Sequence, residues 1–135
     1  MVLQNFNLAG KTAIVTGCNT GLGQGMALAL AQAGADIVGV NVSEPDETQA
    51  GVEALGRRFL DLRANLGDVS CIADLVAKGR ALNGAVHILV NNAGIIRRED
   101  AIKFSEADWD DVMDLNLKSV FFLSQAVAKA FMAQG

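Results

Sequence analysis

The chain has 135 residues and a net charge of −4 from 11 basic and 15 acidic side chains; 51% of its residues are hydrophobic and 19% charged. That balance predicts one globular domain over residues 1–135 with a substantial core, and excludes a disordered chain or a basic nucleic-acid binder. No apolar run has the length of a membrane span. The N-terminal MVLQNFNLAGK lacks a basic-then-apolar leader, so a cytoplasmic protein is expected. Cys18 and Cys71 form no C-x-x-C pair and predict neither a metal site nor a disulfide framework. Tyrosine is absent, so acid/base chemistry that needs a tyrosine cannot run on these residues alone.

Short β-prone runs alternate with amphipathic stretches. Thr12–Thr16 reads as a strand buried on both faces, ending at Gly17. A glycine-rich turn leads into a helix over Leu22–Ala33, closed by Gly34. Ile37–Val40 is the second strand. Ser43–Glu47, with Pro45, forms a turn into a polar-faced helix over 46–56. Arg58–Leu62 is the third strand. Asp68 caps a helix running to Leu82 and stopped by Asn83-Gly84, and Val86–Val90 is the fourth strand. Ser105-x-x-Asp108 resembles a capping box and opens a helical segment over 105–134. Alternating strands and helices predict an α/β fold with a parallel sheet and right-handed crossovers. Trp109, Leu117, Phe121, Phe122 and Phe131 give the last segment more than one apolar stripe. It is therefore expected to bury one face on the sheet and the other on a second copy, as a homo-oligomer.

The glycine loop carries the first chemistry. In Thr16-Gly17-Cys18-Asn19-Thr20-Gly21-Leu22-Gly23, Gly17 lets the chain turn off the strand. Gly21 lets backbone approach a diphosphate, and Gly23 permits close helix–strand packing. Amides at the helix start then offer an anion site, helped by the helix dipole. Asn19, Thr20 and Leu22 complete the candidate set. A tight turn without a ligand is the plainer alternative.

The spacing T-G-x-x-x-G-x-G, with Asn91-Asn92-Ala93-Gly94 after the fourth strand and Asn116 in Asp114-Leu115-Asn116-Leu117-Lys118-Ser119, resembles the short-chain dehydrogenase/reductase family along the whole chain. The resemblance implies a Rossmann-type sheet in the order 3-2-1-4, a nicotinamide dinucleotide, and Asn92, Ala93 and Gly94 beside the nicotinamide ribose. It makes Asn116 the asparagine of an Asn-Ser-Tyr-Lys tetrad, holding a water of the proton relay. A helix kink explains the same asparagine without chemistry. The stretches from Gly94 to Ala101 and from Phe104 to Met113 resemble the branch acting on 2-dehydro-3-deoxy-D-gluconate and 2-deoxy-D-gluconate. The family's catalytic serine and Tyr-x-x-x-Lys lie beyond a segment like this one. The chain is thus expected to supply the cofactor-binding half of an oxidoreductase, to be inactive alone, and, with its fourth strand an unpaired edge, to be unstable or self-associating.

Asn41 stands where many relatives carry a ribose-binding aspartate, and Asn65, with Leu66 beside it, where an aspartate often meets adenine. An amide still bonds a 2′-hydroxyl but carries no charge against a 2′-phosphate. No basic residue stands at Cys18 or Val42, and Glu44, Asp46 and Glu47 follow, so NAD is expected over NADP. Arg97 and Arg98 could hold the carboxylate of a sugar-acid substrate, or form a solvated pair balanced by Glu99 and Asp100. His87 and both cysteines read as structural. Asp108, Asp110, Asp111 and Asp114 read as a solvated helix start, not a metal site. Two other readings remain open: a dinucleotide-binding module without turnover, and a flavodoxin-like domain, which leaves Asn92-Ala93-Gly94 unexplained. A 3-oxoacyl reductase is the runner-up within the family.

Overall fold

The computed structural model describes residues 2–135; Met1, the first residue of the expected unit, lies outside the described residues. Four parallel strands, β1 (Thr12–Thr16), β2 (Asp36–Asn41), β3 (Phe59–Arg63) and β4 (Ile88–Val90), form one sheet in the order β3-β2-β1-β4. The central pairing sets Ile14 against Val38 on one side and Leu89 on the other. Every residue of β1 is buried, as a strand covered on both faces requires.

Each face has its own helical layer. Helices α1 (Gly21–Gln32) and α2 (Asp46–Ala54) enclose Ala13, Val15, Ile37, Ala27, Ala31 and Val52. On the other face, α3 (Ile72–Asn83) and α5 (Ser119–Gln134) bring Leu75, Val76, Leu123 and Val127 onto Ile14, Val38 and Leu62. Burying each such aliphatic side chain stabilises the fold by about 1.5–3 kcal/mol. Gly84, in the left-handed region at φ 83°, ends α3 as Asn83-Gly84 predicts.

Four local readings need correction. The fourth strand begins at Ile88, not Val86, because the Gln134 side chain takes both backbone groups of Val86 at 3.0 and 2.8 Å. The third strand ends at Arg63 rather than Leu62, since Asn41 pairs in register with Arg63. Asp68 caps a 3-10 turn (Val69–Cys71) that precedes α3. The segment over 105–134 is not one regular helix: α4 (Glu106–Met113) passes through a π-helical turn, Asp114–Lys118, into α5. Ser105 does cap α4, its Oγ accepting from the Asp108 amide at 3.0 Å. Ser119, Leu123, Val127 and Ala130 form the buried stripe of α5, while Phe121 is 61% and Met132 82% exposed. β4 pairs with β1 alone among the described strands.

Asp36 ties the opposite edge of the sheet together. Its carboxylate accepts from the Arg58 amide at 2.8 Å and from Asn83 at 2.9 Å, with the Arg58 guanidinium at 3.4 Å. Partial burial pushes this carboxyl up, but the hydrogen bonds from Arg58 and Asn83 outweigh it and hold the group below its ordinary value. A lowered folded value stabilises the native state above the ordinary carboxylate range, and that contribution is lost as pH falls through the folded value. Urea midpoints followed downward from neutral pH should therefore fall more steeply for the wild type than for Asp36→Asn. Parallel curves would remove Asp36 from the acid transition.

Candidate functional site

The C-terminal ends of β1, β2 and β4 open into a cleft of about 330 Å³ at the point where the chain order reverses between β1 and β4. Ligands bind at this position in open α/β sheets. Eleven of the twelve residues expected to hold the cofactor line it: Gly17, Asn19, Thr20, Leu22, Gly23, Asn41, Asn65, Leu66, Asn92, Ala93 and Gly94. Gly21, the twelfth, sits in the same loop at φ 59°, with open space where a Cβ would be. No residue lining the cleft is charged.

The loop is built for backbone approach. Thr20 precedes α1 without making a side-chain cap, and no acidic residue occupies the first turn. The helix therefore presents its first amides, and the positive end of its dipole, without a protein anion to neutralise them. At Gly23 a methyl group would lie 2.1 Å from the Gly17 carbonyl oxygen and 2.5 Å from Asn92 Nδ2, so only glycine fits. These features fit a diphosphate, and the neutral lining suits the rest of a dinucleotide.

Side chains that sequence reasoning passed over hold the loop. Thr16 Oγ1 accepts from the amides of Asn92 and Ala93 at 3.0 and 2.9 Å. Asn92 returns the link, donating to the carbonyls of Thr16 and Gly17 at 3.2 and 3.0 Å. Thr48, fully buried on α2, donates to the Cys18 carbonyl at 2.7 Å and accepts from Gln24 at 3.0 Å. Its one sequence signal is the buried i, i+4 pair with Val52.

Asn41 also supports the glycine loop. Its side chain is turned inward, with Oδ1 accepting from the Asn19 amide at 3.1 Å and Nδ2 donating to Cys18 Sγ at 3.5 Å. It is 3% exposed and lines the cleft, so its amide braces the glycine loop at the end of β2. Burial pushes the Cys18 thiol up, outweighing the hydrogen bond from Asn41; the thiol stays protonated and acts as packing. Asn65 Oδ1 accepts from Gly67 at 3.0 Å, and the residue is exposed at the cleft.

A second cleft of about 350 Å³ adjoins the first through Ile95 and contains Asn116, Arg97 and Trp109. Asn116 lies in the π-helical turn and clamps the loop after β4, accepting from the Ile95 amide at 2.9 Å and donating to its carbonyl at 2.7 Å. Such turns mark functional positions in many helices. Arg97 is not balanced by Glu99 and Asp100, as expected, but by Asp108 and Asp111 at 3.4 and 3.5 Å. Those two carboxylates, read as solvated, therefore point the guanidinium. Arg98 is exposed and lines neither cleft. His87 is structural: its Nδ1 accepts from the Thr12 amide at 3.0 Å. A groove of about 520 Å³ between α3 and α5 holds none of the candidate residues. No helix among the described residues is long and apolar enough to cross a membrane.

This constellation of glycine loop, Asn92-Ala93-Gly94 and Asn116 around one sheet edge has known counterparts: a family model for short chain dehydrogenases matches residues 11–135. The chain belongs to that family. It is 65% identical over 135 residues to the 2-dehydro-3-deoxy-D-gluconate 5-dehydrogenase of Dickeya dadantii (strain 3937), covering 100% of this chain and 53% of that protein. A crystal structure from Agrobacterium tumefaciens with bound NADP matches at 46% identity and TM-score 0.85, over 96% of this chain and 50% of that one. Carveol dehydrogenase from Mycobacterium avium, in complex with NAD, matches at 26% identity and TM-score 0.87, over 95% and 52%. The chain thus spans about half the length of the curated relatives it matches, and structures of the family hold either dinucleotide.

Proposed function

We propose that residues 1–135 form the dinucleotide-binding portion of an NAD-dependent dehydrogenase that interconverts a secondary alcohol and a ketone on a sugar acid. The observation that carries this reading is the neutral cleft at the sheet's switch point, opening onto the uncapped start of α1. The 2-dehydro-3-deoxy-D-gluconate 5-dehydrogenase relative supports the substrate class.

When bound, the nicotinamide dinucleotide supplies or accepts the hydride. The chain's own part is holding and orientation. Amides of Gly17–Gly23 hold the diphosphate, with Thr48 and Asn41 bracing them from behind. Asn65 and Leu66 take the adenine side, and Asn92, Ala93 and Gly94 the nicotinamide ribose. Asn116 fixes the Ile95 backbone at the junction of the two clefts and contributes to the proton relay. These residues include no tyrosine, so the relay's acid/base group lies elsewhere in the active enzyme. The outward face of α5, with Phe121 and Met132 exposed, is the surface through which copies associate.

Of the two arginines, Arg97 lines the cleft beside Asn116 and is the cation assigned to the substrate carboxylate; Arg98 lines neither cleft. Arg97→Ala should raise KM for the acid substrate by about tenfold, the loss of a charge-assisted contact, and leave NADH affinity unchanged, while Arg98→Ala should change neither. Unaltered substrate kinetics in Arg97→Ala would return Arg97 to a structural role. The reaction itself is tested by incubating the active enzyme with NAD and 2-dehydro-3-deoxy-D-gluconate or 2-deoxy-D-gluconate, following nicotinamide reduction. Turnover with a sugar acid supports the reading. Turnover only with 3-oxoacyl thioesters and a reduced cofactor would replace it with a 3-oxoacyl reductase.

A further inference from the structure

No charged side chain lines the dinucleotide cleft, yet one cation, Arg63, ends β3 next in the chain to the lining residue Ala64. Val42, just past the end of β2, lines the cleft as well. Arg63 is the register partner of Asn41. Strand alternation puts Arg63 on the same face as Asp61, toward the α2 side of the sheet. Its guanidinium is occupied twice. Nε lies 3.0 and 2.8 Å from the two Asp61 carboxylate oxygens, and Nη2 lies 3.7 Å from Glu44 on the loop entering α2. Glu44 is 75% exposed, and exposed pairs of this kind contribute only about 0–1 kcal/mol to stability. Val42, between Asn41 and this pair in the chain, is 71% exposed, so this corner of the cleft is open.

We propose that Arg63 is a cofactor-specificity residue whose guanidinium is held and neutralised by Asp61 and Glu44, so that the site accepts the 2′-hydroxyl of NAD and rejects the 2′-phosphate of NADP. This rests on the dinucleotide reading above and names the group that chooses between the two cofactors. One guanidinium against two carboxylates leaves a net negative corner, which repels a phosphate. Without the two acids, the same guanidinium presents a planar donor fork suited to phosphate. Asn41 carries no charge with which to attract or repel a 2′-phosphate, and its amide already bonds to Asn19 and Cys18.

The test is an equilibrium titration of NADH and NADPH, read by nicotinamide fluorescence, on three forms of the protein. These are the wild type, Glu44→Gln/Asp61→Asn, and the same double variant with Arg63→Ala. The wild type should favour NADH by on the order of tenfold or more. The double variant should gain about tenfold in NADPH affinity, and Arg63→Ala should remove most of that gain. Glu44→Gln alone alters a largely exposed side chain and should give part of the gain even where the double variant folds poorly. An unchanged NADH-to-NADPH ratio in Glu44→Gln and the double variant overturns the proposal. So does a wild type that prefers NADPH, or a gain that survives Arg63→Ala. Binding of neither dinucleotide by a folded wild type overturns the dinucleotide reading itself, an outcome distinct from unchanged discrimination.

Discussion

Gly23→Ala is expected to weaken NADH binding by about 100-fold or more. The added methyl would lie 2.1 Å from the Gly17 carbonyl oxygen and 2.5 Å from Asn92 Nδ2. Neither neighbour is the free end of a flexible side chain. Gly17 is main chain at the turn off β1, and Asn92 is fixed by its own bonds to Thr16 and Gly17. The loop must therefore move by an ångström or so, and losing one or two charge-assisted hydrogen bonds from its amides to the diphosphate, each about 1.5–3 kcal/mol, amounts to about 100-fold. Forcing a methyl into close packing also costs about 1–3 kcal/mol of stability. Gly25→Ala, two residues on, is the matched control: nothing lies within 4 Å of its methyl and its φ is ordinary for a helix. It should bind NADH normally and gain about 1 kcal/mol in stability. Calorimetric titration and urea unfolding of the two variants measure both effects. Equal NADH affinities would remove the glycine loop from the binding site.

Thr16→Val is expected to cost about 1–3 kcal/mol of stability with almost no change in volume. Thr16 is 1% exposed, and its hydroxyl accepts two backbone amides, those of Asn92 and Ala93. Valine leaves the Ala93 amide without a partner and the Asn92 amide with the Val90 carbonyl alone, at 3.2 Å; one buried amide left unpaired costs about 1–3 kcal/mol. The effect reaches function because these bonds hold the loop after β4 against the glycine loop. Thr16→Ser keeps the acceptor and loses only a methyl group, about 0.8 kcal/mol. Denaturation of the valine and serine variants should therefore separate widely, with NADH affinity following the same order. Coincident curves would show that the loop after β4 is held by packing alone.

Sequence made legible what depends on local chemistry. The β1 run, the glycine turn, the Asn83-Gly84 stop and the Ser105 cap each follow from nearby residues, and alternation of strands and helices leads to a parallel sheet, whose order β3-β2-β1-β4 the family resemblance implies. What stayed hidden depends on partners distant in the chain. Val86 reads as strand until Gln134, 48 residues later, takes its backbone groups. Arg97 reads as paired with its neighbours until α4 brings Asp108 and Asp111 to it. Asn41 reads as a ligand contact, and only the fold shows that it also holds Cys18 and Asn19 of the glycine loop. Thr16 and Thr48 carry no motif, yet their hydroxyls fasten the loops that the motifs mark. Sequence thus located the candidate cleft from its glycines and asparagines, while the supports behind it needed three dimensions.

Backbone-amide NMR during an NADH titration tests most directly whether this cleft is the dinucleotide site. Saturable shifts should concentrate at Gly17–Gly23, Asn65–Leu66 and Asn92–Ile95, with α3 and the outer face of α5 unmoved. No saturable shift, or shifts centred on the groove between α3 and α5, would contradict the assignment of the glycine loop as the diphosphate cradle.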